Sequence, residues 1–148
     1  MLMIMKKWIL YSVATVSLWC SCTTSHKGEA PVALVWENGV YDASTQMYRH
    51  RFVVRNKTDR ELAGDWEIFY SQLPVRVAND STSPVCITAV NANYYKMAPT
   101  DRYRNIPPHD SLVVVYYADS RAVNLSRQPE GCYWVAKGQN TTLPVELA

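Results

Sequence analysis

Histidine is scarce in this sequence, and so is any arrangement of residues that would give it a reaction. Three histidines occur, at positions 26, 50 and 109, and no two have the spacing of metal ligands. Beyond residue 22 the only cysteines are Cys86 and Cys132, which form no CxxC pair and so no zinc or dithiol motif. The five glycines build no GxSxG elbow, phosphate loop or GxGxxG fingerprint. The carboxylates are scattered over strand ends and turns, and nothing singles out two of them for glycosidase chemistry. No metal and no cofactor is expected. A sustained 3.6-residue repeat is also missing, as are internal repeats and low-complexity runs.

A charge excess of one sign is absent as well. The whole chain has 15 basic and 13 acidic residues. Lys6 and Lys7 lie in the leader described next; without them the count is 13 against 13. There is no basic stripe for a phosphate backbone, so no nucleic-acid partner is expected.

Residues 1–22 read as a targeting segment. Lys6 and Lys7 give a positive start, and the apolar run Trp8 to Trp19 is too short for a comfortable membrane span. The run ends in LWCSC, where Cys22 after Ser21 resembles a bacterial lipoprotein box. An ordinary secretory signal is the alternative. A diacylated Cys22 would anchor the chain to a membrane without spanning it. Residues 23–31 then form a polar tether. It lacks the acidic run that surface-exposed lipoproteins of some bacteria carry, so the expected place is the cell envelope, on the periplasmic face of the outer membrane.

Residues 32–148 are enough for one domain with a real core. Their pattern is β almost throughout. In QMYRHRFVVRN, residues 46–56, Tyr48, His50, Phe52 and Val54 fall on one face, and Arg49, Arg51 and Arg55 on the other. Trp66, Ile68 and Tyr70 alternate with Asp65, Glu67 and Ser71. Further strands are expected over 85–90, 94–97, 111–118, 121–125, 132–136 and 143–147. The prolines of IPPHDS, residues 106–111, mark a loop. Short strands about ten residues apart predict an all-β antiparallel sandwich, immunoglobulin-like in architecture. Cys86 and Cys132 can be joined in an oxidising compartment or stand as two packed thiols.

Sugar binding needs aromatic faces beside polar groups. Beyond the leader there are three tryptophans and nine tyrosines. Trp66 reads as core, and Trp36 as core or edge packing. Tyr133 and Trp134 must point to opposite faces, as must Tyr94 and Tyr95, so one of each pair is inside and the other is a surface candidate. Arg49 and Arg51 could bond sugar hydroxyls, or form a solvated face that discourages edge pairing. His50 reads as a packed side chain and His109 as a loop residue.

Several stretches together resemble one family. Val35-Trp36-Glu37, the turn Arg55-Asn56-Lys57-Thr58 and the strand Gly64-Asp65-Trp66-Glu67-Ile68-Phe69-Tyr70 resemble the opening of the N-terminal domain of chitobiases and β-N-acetylhexosaminidases of glycoside hydrolase family 20. The loop at 106–111 and the residues Ala122, Asn124, Ser126, Pro129, Gly131 and Tyr133 resemble its closing motif, with a Pro-x-Gly turn at 129–131. His109 stands where that pattern commonly has glycine. The resemblance implies a β-sandwich similar to cellulose-binding modules, with a carbohydrate-binding role. In that family the domain precedes a catalytic barrel that uses an Asp-Glu pair; this chain has no Asp-Glu dipeptide and too little length for a barrel.

A non-catalytic module is therefore expected. It would bind N-acetylglucosamine-type glycan, chitin-type or peptidoglycan-derived, through Tyr94, Tyr95, Tyr133, Trp134, Arg49 and Arg51. Its other partners would be a membrane, through the lipid, and a family 20 catalytic domain. The alternatives are a scaffold domain of a split hexosaminidase with no ligand of its own, and a surface-assembly sandwich with a protein partner.

Overall fold

The computed structural model describes residues 28–121 and 128–148. The leader, Cys22, His26 and most of the expected strand at 121–125 lie outside the described residues. Nine strands follow in chain order: β1 (Val32–Asp42), β2 (Met47–Asn56), β3 (Trp66–Ser71), β4 (Val77–Asn79), β5 (Val85–Asn91), β6 (Tyr94–Pro99), β7 (Ser111–Ala118), β8 (Glu130–Ala136) and β9 (Thr142–Pro144). They form two antiparallel sheets, one ordered β1-β2-β7-β4 and the other β5-β6-β3-β8-β9. The fold is the all-β sandwich that the alternation predicts.

Alternation along each strand sets the core. Phe52, Val54, Val114 and Tyr116 from one sheet face Trp66, Ile68, Tyr70, Tyr95, Met97 and Trp134 from the other, all buried. Each such side chain contributes about 1.5–3 kcal/mol by leaving water. Through this core runs a column of rings from both sheets: Tyr95, Tyr70, Phe52, Tyr116, His50 and Trp36. Successive centroids lie 5.5, 5.3, 5.6, 5.2 and 5.7 Å apart. The Trp36 indole donates to the Tyr116 hydroxyl at 2.9 Å. His50 is packed, as its parity predicts.

Two connections show why particular residues stand where they do. After β2, buried Asn56 ties the chain together. Its amide nitrogen donates to the carbonyls of Arg60, Ile106 and Pro107, and its side-chain oxygen accepts from the Thr58 amide and hydroxyl. In the loop before β7, His109 has φ 59°, the left-handed region that favours glycine. Its exposed ring meets Asp59 at 2.8 Å.

Several expectations change. The Pro-x-Gly segment is not a free turn: Glu130 already pairs with Ser71, and Gly131, at φ 62°, supplies an extra residue where the register shifts between Phe69 and Ser71. That is a β-bulge opening β8. The strand expected over 143–147 ends at Pro144; beyond it Val145 bonds to Cys132, while the Glu146 and Ala148 backbones bond to Leu34 and Trp36 of β1. The short edge strand β4 has too few residues to announce itself by alternation. Ala30, expected in the tether, is 3% exposed and packs on the core.

Of the two alternatives for the cysteines, the structure has the unbridged one. Cys86 and Cys132 are both free thiols. They stand on β5 and β8, separated by β6 and β3, so three inter-strand spacings of about 4.8 Å lie between them, beyond disulfide reach. Cys132 faces the core and Cys86 the opposite side of the sheet. Burial pushes the Cys132 thiol up to about 11.

Candidate functional site

The residues expected to form one sugar site are divided between the two outer faces of the sandwich. On the five-stranded sheet, Tyr94 of β6 and Tyr133 of β8 point outward and are half-buried. Tyr95 and Trp134 are 1% and 5% exposed and belong to the core, so they offer no face to a ligand. Tyr95 is held by the backbone of Val75, to which it donates at 3.1 Å and from which it accepts at 2.9 Å. Trp134 stacks on Trp66 at 5.2 Å.

Between Tyr94 and Tyr133 lies a ring that the sequence reading passed over, Phe69 of β3. Trp66, Ile68 and Tyr70 point inward, so Phe69 must point outward. Its centroid is 5.6 Å from Tyr94 and 5.2 Å from Tyr133, with planes within 17° and 13° of parallel. Nearly parallel rings this close overlap in offset stacks. Tyr94 and Tyr133 are 6.5 Å apart and their hydroxyls are in contact. The three separations close a triangle, so the rings form a compact cluster and not a line. An ion pair between Lys96 and Glu67, 3.0 Å, flanks Phe69 through the adjacent positions on β6 and β3.

On the four-stranded sheet, Arg49 and Arg51 point outward from β2 into a cleft of about 460 Å³. Glu37, Asn38, Val40, Tyr41 and Asp42 of β1, with Ala43 just beyond it, form the rest of its wall. The cleft exists because β1 carries one extra residue between Glu37, opposite Arg51, and Val40, opposite Arg49. Arg51 is committed to Glu37, its Nε donating to the carboxylate at 2.7 Å. Asp42 accepts from the Ser44 amide and hydroxyl at 2.9 and 2.6 Å, which holds its carboxyl below the usual range. Arg49 makes no hydrogen bond or ion pair with a described residue. Stacked sheets lie about 10 Å apart, and both sets of side chains project further outward. One sugar ring cannot touch the aromatic cluster and Arg49 together.

His50 lies beneath this cleft. It is 1% exposed, and its Nε2 meets the Ser120 carbonyl at 2.9 Å, while Nδ1 is buried without a partner among the described residues. Burial pushes its pKa below the ordinary 6.5, against the raising effect of the Ser120 bond. Among the described residues no group of three or more His, Cys, Asp or Glu side chains is placed to hold a metal.

No family model and no curated protein matches the sequence. The fold has relatives among solved structures. A family GH18 chitinase from Chromobacterium violaceum aligns over 80% of this chain with a TM-score of 0.54 and 13% identity. A GH20 exo-β-N-acetylglucosaminidase from Vibrio harveyi aligns over 82% with a TM-score of 0.55 and 16% identity. The chain spans only 19% and 18% of the lengths of those two enzymes. At these identities the likeness is one of fold: the chain shares a β-sandwich with part of each enzyme.

Proposed function

We propose that this chain is a non-catalytic carbohydrate-binding module of the kind that stands at the N-terminus of β-N-acetylhexosaminidases. Its ligand is N-acetylglucosamine-type glycan, from chitin or peptidoglycan. It is held by lipid on Cys22 at the periplasmic face of the outer membrane of a bacterial cell envelope. The observation that carries the reading is the outward cluster of Tyr94, Phe69 and Tyr133. Aromatic rings on a sheet surface stack on the apolar face of a pyranose, and the paired hydroxyls beside them can exchange hydrogen bonds with the sugar. A triangle of rings suits a single sugar or a chain end better than the long flat face of a crystalline polymer. The sequence motifs and the fold likeness to parts of two enzymes named for chitin and N-acetylglucosamine chemistry support the same ligand class.

The test is retention on chitin and on peptidoglycan. The protein should be retained, and Tyr133→Ala and Tyr94→Ala should each weaken retention while remaining folded at the assay temperature. Equal retention of both variants would remove this surface from the account. Labelling with a radioactive fatty acid, lost in Cys22→Ala, tests the anchor. Cell fractionation with protease accessibility tests the location.

A second reading, a scaffold that docks on a catalytic domain without its own ligand, draws on another surface. Val35, Val53 and Val113 stand directly opposite one another on the outer face of β1, β2 and β7, with Val113 46% exposed. Co-purification with a hexosaminidase barrel that Val113→Lys abolishes would favour it.

A further inference from the structure

We infer that the cleft at the β1–β2 hairpin is a second saccharide site, separate from the aromatic cluster, and that it takes a sugar bearing a carboxylate. Four observations meet there. The cleft, about 460 Å³, has room for a monosaccharide. Its wall includes an exposed aromatic, Tyr41, at 54% exposure, which packs edge-on against Tyr48 with centroids 5.4 Å apart. Both of its carboxylates are already engaged, Glu37 by Arg51 and Asp42 by Ser44. Arg49 is the one cation of the cleft without an ion-pair contact among the described residues.

Charge and geometry then select the ligand. A guanidinium presents a planar fork of donors that a carboxylate meets with two parallel bonds. Glu37 is held by Arg51 and Asp42 by Ser44, and neither is in contact with Arg49, so the fork of Arg49 is open to an incoming carboxylate. Glu37 and Asp42 also remain acceptors at the rim, a poor environment for a bare anion but a good one for ring hydroxyls. The combination fits an acidic sugar better than a neutral one or a free inorganic ion. The bulge that opens the cleft is fixed from below: Gly39 lies against the His50 ring, and a Cβ there would sit 2.8 Å from Nε2. The site is therefore built into the β1–β2 pairing and does not depend on a loose loop.

The proposal takes only its ligand class from the carbohydrate-binding reading, and the two fail separately because they occupy opposite faces. The full-length protein, labelled with nitrogen-15, is titrated at fixed ionic strength with N-acetylmuramic acid, D-glucuronic acid, N-acetylglucosamine and sodium acetate. The sugar acids should give saturable shifts confined to residues 38–43 and 49–51, with N-acetylglucosamine and acetate at least about tenfold weaker there. Arg49→Gln should lose about tenfold or more in sugar-acid affinity, and Arg49→Lys, which keeps the charge but not the fork, should lose less. Arg49 is exposed, so both variants should unfold at the wild-type temperature. Tyr133→Ala should leave these shifts intact. Equal binding of N-acetylglucosamine at the cleft, equal response to acetate, or full sugar-acid affinity in Arg49→Gln would each overturn the proposal.

Discussion

Gly39 rests on the imidazole of His50: a Cβ at position 39 would lie 2.8 Å from Nε2 and 2.9 Å from two ring carbons. The ring cannot retreat, because it is stacked between Trp36 at 5.7 Å and Tyr116 at 5.2 Å. One glycine thus joins the aromatic column of the core to the bulge that shapes the outer cleft. Gly39→Ala should cost about 1–3 kcal/mol through overpacking, read as a lower urea midpoint at unchanged slope. A variant as stable as wild type would mean that the edge strand yields freely and that the cleft has no rigid floor.

His50 gives the fold a pH dependence of defined sign. Burial lowers its folded pKa below 6.5, so between the folded and unfolded values the unfolded chain binds more protons. Its contribution to stability is complete above pH 6.5 and is lost as pH falls through the folded pKa. Urea midpoints should therefore decline as the pH is lowered below about 6.5, before most carboxylates titrate. In a His50→Phe variant that decline should be flattened. A wild-type profile level down to pH 5 would contradict the assignment.

Asn56 organises the turn after β2 with five hydrogen bonds from one buried side chain. Asn56→Ala should cost about 2–4 kcal/mol, because three carbonyls and the amide and hydroxyl of Thr58 all lose a bond to the one buried side chain that ties them together. Asn56→Asp should fare as badly, since it keeps the acceptor for Thr58 but presents charge to the carbonyls of Ile106 and Pro107. Equilibrium denaturation of both variants decides this; a loss under 1 kcal/mol in either would show that the turn is held elsewhere.

Gly131 separates backbone from packing. It has φ 62°, and a Cβ there would meet nothing within 4 Å. Gly131→Ala should cost about 1–2 kcal/mol from the left-handed conformation alone, and Gly131→Asn less. If alanine and asparagine were equivalent in thermal unfolding, the bulge would not require that conformation.

Much of this architecture was legible in the residues. β2, β3 and β7 follow from alternation: Phe52 and Val54 against Arg51 and Arg55, Trp66, Ile68 and Tyr70 against Glu67, and the apolar run at 111–118. The same parity places Phe69 outward, since Ile68 and Tyr70 on either side of it point inward. Other features depend on pairings remote in sequence. Alternation says that Tyr133 and Trp134 face opposite ways, but the Gly131 bulge helps set which one is inside. Whether Arg49 and Tyr133 share a face depends on which sheet each strand joins, and so does the distance between Cys86 and Cys132. The cleft beside Arg49 needs the extra residue of β1, which shows only when β1 is registered against β2.

The most direct test of the central claim is a two-dimensional NMR titration of the full-length protein with chitin oligosaccharides, reading the aromatic resonances of Tyr94, Phe69 and Tyr133. Saturable shifts centred on those three rings, lost in Tyr133→Ala, are the predicted result. Spectra unchanged by the oligosaccharides would contradict it, leaving the aromatic cluster as cover for the sheet and the chain as a sandwich whose partner is another domain.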